Sequence, residues 1–206
     1  NYYDGTKLLS MKDLDNNTPE VFICTSNRTA GKTTFFNRLC LNKYLNKKIR
    51  KFALLYRFQG ELDSTVDTFY KDIHSLFFPS YYLTAENRDK GHFQELFLNE
   101  EACGYSIPIN CADAIKKKSH IFSDIDLILF DEFMSENNHY CPDEFTKFMS
   151  IHTSIARGQG QLVRYVPVIM VSNPVTLLNP YYINMDIPER LSASTKFLRG
   201  HGYVLE

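Results

Sequence analysis

No run of about 18 consecutive apolar residues occurs anywhere in the chain, which excludes a helix that crosses a membrane at the usual span. The five cysteines (Cys24, Cys40, Cys103, Cys111, Cys141) contain no Cys-x-x-Cys pair and are odd in number. That argues for reduced thiols rather than a disulfide frame or a zinc site, and Cys24, inside an apolar run, reads as core filler. An excess of either charge is missing too: the net charge is −1, so there is no overall basic footprint for nucleic acid. Any DNA contact must come from local clusters. No signal peptide, internal repeat, low-complexity tract or interdomain linker is visible. With 206 residues, 44% of them hydrophobic, residues 1–206 read as a single domain. The chain opens at Asn1 without a methionine and stops at Glu206, so the expectation is a domain of a longer protein.

What is present is a pair of motifs about a hundred residues apart. Val21-Phe22-Ile23-Cys24-Thr25 is an apolar run, and Ser26-Asn27-Arg28-Thr29-Ala30 is a polar loop that leads into Gly31-Lys32-Thr33-Thr34 and a helical pattern. Such a loop, with successive N–H groups and a helix N-terminus behind it, cradles phosphate oxygens, while a lysine reaches the β- and γ-phosphates. Downstream, Leu127-Ile128-Leu129-Phe130 is a buried strand ending in Asp131-Glu132. Thr33 and Asp131 can hold Mg²⁺ from two sides, and Glu132 can take a proton from the attacking water. Gly-Lys-Ser/Thr alone arises by chance in roughly one chain in ten of this length, and Ser26 stands where the strict loop has its first glycine. The strand before, the helix after and the Asp-Glu strand downstream carry the reading: a nucleotide hydrolase using ATP and Mg²⁺. Adjacent carboxylates favour transfer to water over transfer to a hydroxyl.

Hydrophobic periodicity gives alternating elements. Strands are predicted at 21–25, 52–58, 125–130 and 166–171, and helices at 32–46, 63–77, 111–118 and 142–156, the last beginning at Pro142. Residues 81–109 read as a β-rich insertion with turns at 87–91 and at Cys103-Gly104. Near-continuous apolar strands alternating with helices predict an α/β fold, a mainly parallel central sheet with helices on both faces. The strand at 166–171 ends in Ser172-Asn173. If the carboxylate strand lies between the loop strand and this one, Asn173 faces the γ-phosphate as a sensor. A plain turn before Pro174 is the competing account.

Three basic groups remain. Lys47, Lys48, Arg50 and Lys51 close the first helix, where positive charge complements its dipole. Lys116-Lys117-Lys118 reads either as a solvated face or as a phosphate grip on DNA. Arg157, before Gly158-Gln159-Gly160-Gln161, is either a helix-end charge or an arginine finger for a neighbouring subunit, with Arg164 as the alternative. Such a finger lowers a barrier by roughly 4–7 kcal/mol.

The order of Arg28, Gly31, Lys32 and Thr33, then Phe130-Asp131-Glu132-Phe133, then Tyr140, Pro142 and Glu144, then Ser172-Asn173 and Asn179-Pro180-Tyr181 resembles the genome-packaging ATPases of phi-29-type phages. Leu55-Tyr56-Arg57-Phe58 with Glu61-Leu62 resembles that group's second strand, and the likeness runs from about residue 20 to 190. The resemblance implies a P-loop NTPase of the additional-strand, catalytic-glutamate type. It further implies a homo-oligomeric ring, a pentamer, that sits on the phage portal and drives double-stranded DNA into a prohead in the host cytoplasm. It leaves open a scaffold RNA, and it implies a C-terminal nucleic-acid-binding domain. On motif matching, loop residues 26–34 hold the nucleotide, Thr33 and Asp131 the metal, and Glu132 is the base. Arg157 falls near the trans-acting arginine and Lys117 near a pore lysine. Other readings stay open: a different P-loop translocase or helicase, a nucleotide-dependent switch or loader with slow turnover, a phosphotransferase, or a purely structural P-loop domain.

Overall fold

Short runs that are apolar at every position can be buried on both faces only inside a sheet with helices on either side, and that is how the chain folds. The structure is a computed structural model that describes residues 2–27, 31–158, 160 and 162–206. In order it forms α1 (Thr6–Ser10), β1 (Val21–Thr25), α2 (Lys32–Leu45), β2 (Lys51–Tyr56), α3 (Leu62–Phe77), β3 (Leu83–Arg88), β4 (Phe93–Leu98) and β5 (Glu101–Pro108). There follow α4 (Ala112–Lys117), β6 (Ile125–Asp131), α5 (Glu144–Arg157), β7 (Val168–Ser172), α6 (Pro180–Asn184), β8 (Leu198–Arg199) and β9 (Tyr203–Leu205). Among the described residues the strands make one sheet in the order β3-β4-β5-β2-β6-β7-β1-β9-β8. From β5 to β9 they run parallel; β3, β4 and β8 add antiparallel pairings at the two edges.

Alternate residues of each central strand feed two cores. Ile23, Ala53, Leu55, Ile128, Phe130, Val168 and Met170 face Ile115, Phe148, Ile151, Ile155 and Tyr181 of α4, α5 and α6. Phe22, Cys24, Phe52, Leu54, Leu127, Leu129 and Val171 face Leu8, Phe36, Cys40, Phe69 and Ile73 of α1, α2 and α3. All five cysteines are buried free thiols. No helix among the described residues is long and apolar enough to cross a membrane.

Three expectations need correction. The order is β6-β7-β1, so the strand ending in Asn173 lies between the loop strand and the carboxylate strand, not beyond the latter. Apolar strands carry no order of their own; pairing partners are fixed by the crossovers. Residues 81–109 are not a separate insertion either: β5 pairs in parallel with β2 and extends the main sheet. Its hairpin turn falls at Asn99-Glu100, both in the left-handed region (φ 48° and 71°), rather than at Cys103-Gly104. Gly104 serves close approach instead, since a Cβ there would lie 2.2 Å from the Phe52 carbonyl oxygen. Finally, α5 starts at Glu144, behind a left-handed Asp143, and not at Pro142.

Candidate nucleotide site

Parallel strands gather their C-terminal ends on one edge of the sheet, and open α/β sheets bind ligands there. At this edge β1 ends in the phosphate-type loop, β6 in Asp131 and β7 in Ser172. Gly31 holds φ +78°, a conformation that favours glycine, and lets α2 begin at Lys32. The Lys32 side chain folds back over the loop: Nζ donates to the Ser26 carbonyl at 2.9 Å and to Asn173 Oδ1 at 2.9 Å. Burial pulls the Lys32 pKa down, and an incoming anion would favour its charged form. Ser26 Oγ is buried without a hydrogen-bond partner among the described residues, while Asn27 is exposed and Thr34 lies in the first turn of α2. Arg28, Thr29 and Ala30 lie outside the described residues, as do Gln159 and Gln161 of the later loop.

Thr33 Oγ1 is 3.5 Å from Asp131 Oδ1. The Asp131 carboxyl is pushed up to about 6, first by burial and then by the neighbouring Glu132 charge. Two hard oxygens converging on a carboxyl short of positive charge suit a Mg²⁺ ion. Thr33 and Asp131 are therefore the residues that would hold one, and it would neutralise phosphate charge there. Glu132 is exposed beside them in the left-handed region, φ 58°, with its N–H donating back to Asp131 Oδ1 at 2.9 Å. A cavity of about 480 Å³ opens next to it, lined by Tyr56, Glu61, Glu132, Ser135, Asn137 and Asn173 among others.

Directly behind Glu132 is an ion pair to which sequence reading gave no role. Arg57, at the end of β2, is forked onto Glu144: Nε lies 2.6 Å from Oε1 and Nη2 3.1 Å from Oε2. Nη2 also donates to the Phe133 carbonyl at 2.6 Å, and Nη1 reaches the Glu132 carbonyl at 3.5 Å. Tyr181 donates its hydroxyl to Glu144 Oε2 at 2.6 Å, and the Cys141 N–H donates to Oε1 at 3.0 Å. The signal was present in the sequence: an arginine closing an apolar run must find an anion if it is buried.

Arg157 lies at the other end of the molecule. Helix α5 starts at Glu144 on the C-terminal edge of the sheet and runs back along its face. Its last residue therefore stands near the N-terminal ends of β6 and β7, about 20 Å from the first at a rise of 1.5 Å per residue. Arg157 is exposed and forms no ion pair with a described residue. Arg164 is committed nearby: it pairs with Asp126 at 3.1 Å and donates to the Ile125 and Ile155 carbonyls. Of the lysine triplet, Lys118 is paired with Asp89 at 2.8 Å, whereas Lys116 and Lys117 are exposed at the end of α4.

A glycine-lysine-threonine helix start after β1, with β7 inserted between it and the Asp131 strand, defines a P-loop fold of the additional-strand class. The model of the podovirus DNA encapsidation protein (Gp16) family matches residues 1–197, and the chain belongs to that family. It is 24% identical over 184 residues to the DNA packaging protein of Bacillus phage phi29; this alignment covers 88% of the chain and 49% of the relative. The chain thus spans about half the length of the curated relatives it matches. Its fold is that of the crystallised N-terminal domain of the DNA packaging ATPase from bacteriophage phi29 (TM-score 0.77, 20% identity, 100% of this chain and 95% of that one). The same fold occurs in the bacteriophage phi-29 genome packaging motor assembly (TM-score 0.72, 21% identity, 100% of this chain and 56% of that one).

Proposed function

We propose that the chain hydrolyses ATP to drive double-stranded viral DNA into a prohead, as one subunit of a ring seated on the phage portal in the host cytoplasm. The observation that carries this reading is the convergence of Lys32 with Asn173, and of Thr33 with Asp131, at the end of three adjacent parallel strands. The packaging role rests on the family and on the relatives named above.

Residues 26–34 bind the triphosphate, with Lys32 turning from Asn173 to the β- and γ-phosphates. Glu132 takes a proton from a water molecule, whose oxygen bonds to the γ-phosphorus as the bond to the β–γ bridging oxygen breaks. Asn173, which accepts from Lys32 Nζ at 2.9 Å with β7 lying between β1 and β6, is left next to the γ-phosphate and registers its departure. Thr33 and Asp131 would hold Mg²⁺, which would supply charge neutralisation at the phosphates. Arg157 acts on a neighbour's site; its place at the end of α5 away from Glu144 supports this reading. Lys116, Lys117 and Lys118 hold DNA phosphates without reading sequence; the Lys118–Asp89 pair leaves the first two as the main grip.

The test is steady-state ATP hydrolysis against protein concentration, with and without double-stranded DNA, for wild type and Arg157→Ala. Specific activity should rise with concentration and be lost in Arg157→Ala while nucleotide binding survives. Turnover indifferent to concentration, DNA and Arg157 would replace the motor by a self-contained switch.

A further inference from the structure

Glu132 holds a left-handed backbone, φ 58°, an uncommon conformation for a residue with a Cβ, and its surroundings hold it there. The constraint is visible. The two peptide groups after Glu132 are gripped from both sides: their carbonyls, of Glu132 and Phe133, accept from the two terminal nitrogens of Arg57 at 3.5 and 2.6 Å. Their N–H groups, of Phe133 and Met134, donate to the Val171 carbonyl at 3.4 Å and to Ser172 Oγ at 3.3 Å. The grip on the β7 side is backbone and hydroxyl of the strand next door. The grip on the other side is one guanidinium, itself fixed by Glu144, whose carboxylate is fixed in turn by Tyr181 and the Cys141 N–H.

We infer that Arg57, held by Glu144 and Tyr181, is a positioning residue: it locks the turn after Glu132 in its left-handed form and so aims the Glu132 carboxylate into the cavity where water would attack. The inference rests on the proposed hydrolytic role of Glu132 and adds to it a residue, at the wall of the same cavity, that acts through Glu132. A planar fork does this where an ammonium would not, because one guanidinium faces a carboxylate along one edge and two carbonyls along the other.

The experiment measures kcat for ATP and the Kd of a fluorescent ATP analogue in the wild type, Glu132→Gln, Arg57→Lys, Tyr181→Phe, and each of the last two combined with Glu132→Gln. Arg57→Lys should lower kcat on the order of 10- to 100-fold, the usual consequence of ångström-scale misplacement, with Kd changed less than about 2-fold. Tyr181→Phe keeps the buried ring and removes one hydroxyl, so it should lower kcat several-fold with Kd unchanged. In the double variants the residual rate should equal that of Glu132→Gln alone, since a residue acting through Glu132 has nothing left to position. A merely structural role would instead multiply the two losses. Multiplied losses, or an undiminished kcat in both single variants, overturn the inference. Should Arg57→Lys fail to fold, Tyr181→Phe and its double variant decide. A Glu132→Gln protein that hydrolyses at the wild-type rate would sink the parent reading; an inactive Glu132→Gln beside an unaffected Arg57→Lys would sink only this one.

Discussion

Asp131 and Glu132 are chain neighbours with different surroundings, and the difference assigns their proposed work. The Asp131 carboxyl, pushed up to about 6 by burial and by Glu132, keeps its proton to a higher pH than an ordinary carboxyl, and below about 6 a metal ion must displace that proton. Metal-dependent nucleotide binding should therefore weaken as pH falls through about 6, which a titration of the analogue in excess Mg²⁺ at several pH values would check. The stability sign runs the opposite way in the metal-free chain. A carboxyl raised above its ordinary 3.8 contributes stability that is fully present below 3.8 and lost as pH rises through about 6. Asp131→Asn, neutral at every pH, should thus melt at a higher temperature than wild type near neutrality. That gain should disappear at pH values below 3.8, while Mg²⁺-dependent turnover is abolished throughout. Glu132→Gln should keep nucleotide affinity and lose turnover by about 10²–10⁴-fold, the usual worth of a general base. Lys32→Ala should lose both, because Lys32 is the cation that closes the loop onto Asn173.

At the scale of elements, what the sequence disclosed and what it hid divide along physical lines. Periodicity placed the central strands and the long helices because burial on one or both faces leaves a local pattern. Pairing leaves none, so the position of β7 between β6 and β1 and the parallel union of β2 with β5 emerged only in three dimensions. The short β8 and β9 and the five-residue α1 and α6 went unread, being too brief to show a period. Glycine misled for a related reason: Gly104 looked like a turn but marks the place where two backbones nearly touch. Gly104→Ala should push β5 from β2 and cost about 2–3 kcal/mol, in the range of overpacked cores. Gly60→Ala, where a Cβ meets nothing within 4 Å, should stay within about 0.5 kcal/mol of wild type. Thermal or urea melting compares the two. The site divided the same way: the loop and the Asp-Glu pair are contiguous and legible, whereas Arg57, Glu144 and Tyr181 come from three separate elements and mean something only together.

For the whole molecule, the decisive fact is that Glu132 and Arg157 stand at opposite edges of one sheet. A subunit with both residues intact cannot bring them together by itself, so the proposed ring must pack head to tail, a heterologous contact that closes by rotation. Mixing two inactive proteins, Glu132→Gln and Arg157→Ala, should therefore restore activity, since some interfaces then join a sound base from one chain with a sound arginine from the other. Mixtures that stay as inactive as their components would exclude a shared site. The fourteen-residue helix α5 then takes on a mechanical meaning. One end is pinned by Glu144 to the turn that carries Glu132, the proposed base, and the other carries Arg157, the proposed finger for the next subunit. On the proposed function it would be a strut between two consecutive events. A stiff rod this short passes on displacement, so any movement that closes one site is delivered to its neighbour as a change of position. The sequence of firing around the ring would be a property of lever length, and one helical turn added to α5 or removed from it would put every subunit out of step with the next.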